Sequence, residues 1–316
     1  MAAASAARLI IIMRIVLADL DGSLPGQTPL EERVAKGRAE SIDLRDMGPS
    51  LRIVARRKTL AQFISAFGPT GAGPEVVFYG SGDFHHLTAG LLLRQDRPLT
   101  VIHFDNHPDW VLYPRTFNCG AWVNRALDMP HVQRVITIGP CSEDLVRPEL
   151  QMANLGALRD GRLELYPWRH GPSRVFRQYG DGPDRRQKDG FLHWRELSGE
   201  DWSGFLDELI ARLSPDPLYI TIDKDVLTSA DATTNWDQGG LPLNHLLQAV
   251  EKLAEARAIV GVDVCGDYSK PMFRDPFRAA LAYFDHPAQT PPTPASLAIN
   301  ATTNEALLDC FERVLH

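Results

Sequence analysis

The chain has 316 residues, 44% hydrophobic and 23% charged, enough to bury the core of one large α/β domain or two small ones. Its formal charge of −7 argues against a nucleic-acid partner, which usually meets a basic face. Cys119, Cys141, Cys265 and Cys310 are widely spaced with no CxxC pair, which fits free thiols in a reducing compartment rather than a disulfide framework.

Residues 2–13 read AAASAARLIIIM, an apolar run too short to span a membrane and followed at once by the polar Asp19-Leu20-Asp21-Gly22 without a clear small-residue cleavage site. We read Arg8–Ala18 as a buried first strand, with Met13 as an alternative natural start, and expect a cytoplasmic protein with no membrane partner. Further apolar runs of strand length follow at Val76–Tyr79, Val101–Phe104, Val135–Ile138, Leu218–Ile222 and Ile259–Val262, several rich in Val and Ile. Their hydrophobicity is continuous rather than alternating, which predicts strands covered on both faces. Helical patterns lie between them at Thr59–Phe67, Leu87–Leu93, Trp202–Leu213 (with Ser198–Asp201 as a capping-box start) and Leu243–Ala256. This alternation predicts an α/β fold: three layers, α/β/α, with a mostly parallel central sheet, in a single domain over 1–316. The Gly-, Pro- and Arg-rich stretch Arg159–Lys188 reads as a surface excursion at about 159–190, and the Pro-rich His286–Pro294 as a loop before a last strand and helix.

Four of the strands run into residues that can bind metal. Val76–Tyr79 leads to Gly80-Ser81-Gly82-Asp83-Phe84-His85-His86, and Val101–Phe104 to Asp105-Asn106-His107-Pro108-Asp109. Leu218–Ile222 leads to Asp223-Lys224-Asp225, and Ile259–Val262 to Asp263-Val264-Cys265-Gly266-Asp267. In open α/β sheets, ligands bind at the carboxyl ends of strands, so these distant segments can meet. Extended residues at i, i+2 and i+4 share a side, so Asp105, His107 and Asp109 can converge, as can Asp223 and Asp225. Carboxylates packed so closely repel one another unless cations neutralise them. Oxygen donors with imidazole suit manganese, with zinc, iron or cobalt as alternatives.

These three elements, in this order and each after a strand, resemble the arginase family of ureohydrolases. That family reads GGDH, then DAHxD, then SxDxDxxDP with a Gly-Gly turn after it; here the stretches are GSGDFHH, DNHPD, TIDKDVLTSAD and Gln238-Gly239-Gly240-Leu241. The resemblance spans roughly residues 75–270. It implies an arginase-like fold and two metal ions per chain: one held by His85, Asp105, Asp109 and Asp223, the other by His107, Asp105, Asp223 and Asp225. Asp105 and Asp223 would bridge. His85 is preferred over His86 because Gly90 then falls five residues later, as in the family. The implied activity is hydrolysis of a non-peptide C–N bond in a small guanidino or amidino substrate, cationic or amide-like, by an acidified water bridging the metals. A homo-oligomer is implied as well.

Two departures stand out. The family's shuttle histidine after DxHxD has no counterpart in Phe117-Asn118-Cys119-Gly120-Ala121-Trp122, and its substrate-binding glutamate after the late strand is replaced by Gly266. Asp267, one residue on, is the candidate for the cationic partner, so Asp105, Asp223 and Asp267 form the expected catalytic set. Two other classes of function remain open. Val16–Ser23 resembles the DxDG[ST] opening of haloacid-dehalogenase-like phosphatases, with Asp19 as nucleophile and Asp21 as acid/base. A metal-binding member of the arginase fold with altered catalysis would also lack the histidine. Among the simpler readings, Asp263 is a buried hydrogen-bonded residue, and Cys119 and Cys265 are small core residues. Asn235-Trp236-Asp237 is a pocket rim or a plain turn, while Tyr268 and Arg174, Arg177, Arg185 and Arg186 are solvated surface.

Overall fold

The structure, a computed structural model, describes residues 13–113, 116–285 and 292–315. Eight strands form the central sheet: β1 Arg14–Asp19, β2 Glu40–Asp43, β3 Glu75–Phe78, β4 Leu99–Phe104, β5 Val132–Ile138, β6 Leu163–Tyr166, β7 Leu218–Asp223 and β8 Ile259–Cys265. Their order is β2-β1-β3-β8-β7-β4-β5-β6, and every pairing in it is parallel. All eight carboxyl ends therefore share one edge.

The continuous apolar runs have a direct cause. Successive strand residues point to opposite faces, and both faces are covered. Val16, Val77, Val101 and Val135 enter one core, while Ile15, Val76, Ile102 and Ile136 enter the other. The first core is closed by the helices Arg57–Ser65, Leu87–Leu92 and Trp122–Leu127, through Leu60, Phe63, Leu91 and Val123. The second is closed by Thr28–Ala35, Trp202–Arg212, Leu243–Ala256 and Pro294–Val314. In Leu243–Ala256 the buried residues Leu246, Ala249, Val250 and Leu253 follow the i, i+3, i+4, i+7 stripe of an amphipathic helix. Each fully buried leucine or valine there contributes about 1.5–3 kcal/mol.

The structure departs from the sequence reading in several places. The segment expected as a surface excursion begins with β6, a fully buried edge strand. Only afterwards does the chain leave the sheet, to form a small antiparallel sheet of Ser173–Arg174, Arg185–Lys188 and Phe191–Trp194. Arg185, expected on the surface, is buried against Asp184 and the carbonyls of Leu158 and Tyr179. The expected capping box is absent: Asp201 is the N-cap and makes no side-chain cap hydrogen bond. No strand precedes the last helix among residues 292–315; Thr293 caps that helix by accepting from the Ser296 N–H at 3.1 Å. The strand expected from Arg8 begins, within the described residues, at Arg14, and the residues up to Ile12 lie outside them, as do residues 286–291 of the Pro-rich loop. Among the described residues no helix is long and apolar enough to cross a membrane.

Candidate metal centre

Strands β3, β8, β7 and β4 are consecutive neighbours in the middle of the sheet, so the turns after them crowd together. After β3, Gly80 takes φ +94°, a conformation glycine adopts without strain. A 3₁₀ turn over Gly82–Phe84 then delivers His85. After β4 the chain does not stay extended. The His107 N–H donates to Asp105 Oδ1 at 2.7 Å, and Asp109 sits at φ +48°. That conformation is uncommon outside glycine, and such outliers concentrate at functional sites. After β7, Asp223 caps a 3₁₀ turn by accepting from the Asp225 N–H at 3.1 Å. Convergence of these side chains is thus achieved by turns, where simple alternation along a strand was expected.

The result is a buried cluster. His85 Nδ1 lies 2.9 Å from Asp105 Oδ2, 3.4 Å from Asp109 Oδ2 and 3.6 Å from Asp223 Oδ2. That nitrogen has no hydrogen-bond partner despite these near oxygens. His107 Nδ1 lies 3.0 Å from Asp225 Oδ2 and 3.4 Å from Asp105 Oδ1. Donor atoms of His85, Asp105 and Asp109, with His103, fall within 4.8 Å of one another, as do those of Asp105, His107 and Asp225. Asp105 belongs to both groups. Asp223 groups with His85 and Cys265. All six residues expected as ligands therefore meet, whereas His86 is buried outside the cluster, beside Arg278. An unpartnered buried imidazole nitrogen aimed among carboxylate oxygens, in a mixed oxygen and nitrogen donor set, fits a divalent metal ion.

The electrostatics agree. Burial, followed by repulsion from neighbouring carboxylates, holds Asp109, Asp223 and Asp225 above the ordinary carboxylate range. Burial alone would lower His85, but Asp105 outweighs it and lifts this imidazole to about 9. Among the described residues no Lys or Arg pairs with Asp105, Asp109, Asp223 or Asp225; their ion-pair partners are histidines.

A second layer of contacts was not read from the sequence. His85 Nε2 meets Thr221 Oγ1 at 2.9 Å, and Thr221 donates to Asp263 Oδ1 at 2.7 Å. Asp263 also accepts from Tyr79, Thr88 and Tyr219, as befits a buried hydrogen-bonded carboxylate. His103 Nε2 lies 2.9 Å from Asp105 Oδ2, and Trp122 Nε1 donates to Asp109 Oδ2 at 2.6 Å. His103 and Thr221 each lie two residues before a cluster aspartate on the same strand face, a signal the sequence did carry. Trp122 is 13 residues from Asp109 and carried none. Glycine is required at 266: a Cβ there would lie 2.5 Å from both Asp223 Oδ1 and the Lys224 nitrogen.

Asp267 is a correction. It does not reach the cleft but pairs with Lys224 Nζ at 2.8 Å, both side chains being almost fully buried. Gln27 and Asn304 complete its shell. Lys224 lies between two cluster aspartates in sequence, points the opposite way, and draws Asp267 with it. The cleft above the cluster measures about 720 Å³ and is walled by Trp110, Tyr113, Cys119, Trp236 and Asp237. Trp236 and Asp237 thus form a rim, while Asn235 is buried on Ser81 and Ser269. Asp19 and Asp21 lie outside this cleft: Asp19 accepts from the Gly22 N–H, and Asp21 is held by Arg52 and Ser269.

The Arginase family profile matches residues 180–266. A Thermotoga maritima protein described as uncharacterized is 24% identical over 237 residues, 75% of each chain. Among solved structures, arginase from Bacillus cereus superposes with a TM-score of 0.58 at 16% identity, covering 94% of this chain and 97% of its own. Proclavaminate amidino hydrolase from Streptomyces clavuligerus superposes with a TM-score of 0.56 at 16% identity, covering 95% and 92%.

Proposed function

Given a chain that is arginase-like in fold and carries that family's sequence pattern over residues 180–266, we propose that it is a metal-dependent hydrolase of ureohydrolase type, acting on a C–N bond of a small guanidino or amidino molecule. The observation that carries this reading is the cluster of four buried aspartates with no Lys or Arg partner among the described residues. Unpaired buried charge is costly, and a pair of divalent cations would relieve it. In this reading His85, Asp105, Asp109 and Asp223 hold one ion, and His107, Asp105, Asp223 and Asp225 the other, with Asp105 and Asp223 shared. Manganese is the ion that the donor set favours.

Bound cations would supply Lewis acidity toward water and substrate. The chain's own residues do the rest. Thr221 fixes the ring of His85 through Nε2, leaving Nδ1 toward the carboxylates. Trp122 and His103 hold Asp109 and Asp105 by one hydrogen bond each. Trp110, Tyr113 and Trp236 give the cleft flat walls that suit a planar amidinium group and exclude bulk water from the floor. A small-molecule substrate and a homo-oligomeric, cytoplasmic protein complete the proposal.

Elemental analysis of purified protein, followed by a manganese-supplemented screen of guanidino and amidino compounds for urea or ammonia release, tests it. We expect up to two divalent ions per chain and turnover of at least one such compound. Protein that binds no divalent ion under any loading condition would overturn the reading.

A further inference from the structure

Resting on the proposed metal site, we propose that Asp237 is a positioning residue for it: its carboxylate accepts the Nε2–H of His107 and thereby holds Nδ1 as the donor that faces Asp105 and Asp225. His107 is flanked by carboxylates on both ring nitrogens. Nδ1 lies 3.0 Å from Asp225 Oδ2, and Nε2 lies 3.0 Å from Asp237 Oδ1. A neutral imidazole carries one proton, so the nitrogen that keeps it decides which lone pair is free to bind metal. Asp237 lies outside the cluster and its side chain is half exposed, so it is better placed to take the N–H than to share an ion. The arrangement then runs carboxylate, histidine, metal site, in which the outer carboxylate fixes tautomer and ring angle and strengthens the inner nitrogen as a donor.

Asp237 is itself held in place. Asn106, between Asp105 and His107 in sequence, donates from Nδ2 to Asp237 Oδ2 at 3.0 Å and to the Asp237 carbonyl at 2.9 Å. The Asn106 backbone N–H donates to Asp225 Oδ1 at 3.0 Å, and its side-chain oxygen accepts from the Cys141 N–H at 3.1 Å. One asparagine thus ties the DxHxD turn, the DxD turn and the Asp237 loop together. The loop approaches closely because residue 239 is glycine: its N–H donates to the Asp225 carbonyl at 2.6 Å, and a Cβ would lie 2.9 Å from that oxygen. The neighbouring Trp236 packs edge-on to His107 with ring centroids 5.5 Å apart, and its Nε1 donates to Asp83 at 3.0 Å. Ring angle and protonated nitrogen are therefore both set by Trp236 and Asp237, the pair before Gln238 and the Gly-Gly turn.

The competing role for Asp237 is a direct contact with substrate at the rim, and the experiment separates the two. Metal affinity would be measured on wild-type protein, Asp237→Asn and Asp237→Leu by competition with a chelating dye, using manganese and zinc. Zinc-loaded, histidine-labelled samples would be examined by ¹⁵N NMR for the His107 Nε2–H. Removing an outer partner of a ligating histidine typically costs about 10–100-fold in metal affinity, and the exposure of Asp237 puts the expected loss near 10-fold at one of the two ions. Asp237→Asn should retain an Nε2–H signal at a changed shift, because its amide oxygen still accepts; Asp237→Leu should lose the slowed exchange of that proton. A role in folding alone would lower thermal stability without moving this resonance. Should Asp237→Leu fail to fold, the Asn variant carries the test. Affinity within twofold of wild type for both ions would overturn the proposal, as would a raised KM with unchanged metal affinity. Wild-type protein that binds no ion would instead overturn the metal reading beneath it.

Discussion

Buried carboxylates that form ion pairs occur in two kinds of surroundings. In the first kind each has a Lys or Arg partner: Asp83 has Arg52, which it shares with Asp21, Asp267 has Lys224, Asp184 has Arg185, and Glu164 has Arg134 and Arg212. In the second kind, at the ends of β4 and β7, four aspartates share only histidines among the described residues. Both sets are equally removed from water, so the difference is in how the charge is balanced. The first set is balanced by Lys and Arg of the chain itself, and the second is not. Asp267 and Asp223 show the contrast most sharply, because Gly266 presses against both Asp223 and Lys224 while the two carboxylates face opposite ways. Asp267, expected to meet the substrate, is therefore a strut, held by a lysine that sits between two cluster aspartates.

The largest expected effect follows from removing a shared member of the second set. Asp223→Ala should lose both ions and lower kcat/KM by roughly three orders of magnitude, the several kcal/mol that metal ions commonly supply to a transition state. Metal content after gel filtration checks this. Full occupancy in the variant would show that Asp223 does not bridge. Asp109→Ala should weaken chiefly one ion.

Disturbing the first set should act on stability instead. Asp267→Asn leaves Lys224 buried without its counter-charge, which costs about 3–5 kcal/mol. Urea denaturation of metal-loaded protein measures the loss. A fully stable variant with weakened substrate use would restore Asp267 to the catalytic role expected from its place in the sequence.

The two sets should also differ in their response to pH. Metal-free Asp109, Asp223 and Asp225 are raised above 3.8 by burial and by one another, and His85 is raised to about 9. A raised folded-state pKa means that the folded form holds protons more tightly than the unfolded form. Stability from these groups is complete below their unfolded values and is lost as pH rises through the folded ones. Asp105 is lowered and works in the opposite sense, as its hydrogen bonds to histidines overcome burial. Metal must displace the held protons, so its affinity should rise with pH. The gain in Tm on adding manganese should therefore be greater at about pH 8.5 than at about pH 6. A gain independent of pH would mean that the ions bind elsewhere.

Much of this organisation was legible in the sequence. The central strands announced themselves because both of their faces are buried, and the six cluster residues because each follows such a strand within a few positions. What escaped was whatever depends on the third dimension. Glu40–Asp43 is an edge strand with little to bury, so ESID carries no apolar signal. Leu163–Tyr166 is only four residues long and was hidden in a polar stretch. The pairing of Asp267 with Lys224 depends on which way a side chain turns after β7, and the bond between Trp122 and Asp109 on a helix packed beneath the cleft. Neither leaves a periodicity to read.

The smallest expected effect belongs to Asp19, and it decides between the two hydrolase readings. A phosphatase built on Val16–Ser23 needs Asp19 as an exposed nucleophile, so Asp19→Asn would abolish it. In the structure Asp19 is 4% exposed, and its Oδ1 accepts the Gly22 N–H at 2.7 Å, a bond that an asparagine oxygen can keep. The other oxygen lies 3.4 Å from Arg45, whose side chain is 57% exposed, and such pairs contribute about 0–1 kcal/mol. Burial raises the pKa of Asp19 more than its partners lower it, so ionisation at neutral pH slightly opposes folding and an amide removes that cost. These terms nearly cancel, and Asp19→Asn should shift stability by no more than about 1 kcal/mol while leaving metal content and C–N hydrolysis unchanged. Thermal melts and assays of the variant on guanidino compounds and phosphate esters measure both. Phosphate-ester activity that disappears in Asp19→Asn would move the active centre from the middle of the sheet to the end of β1.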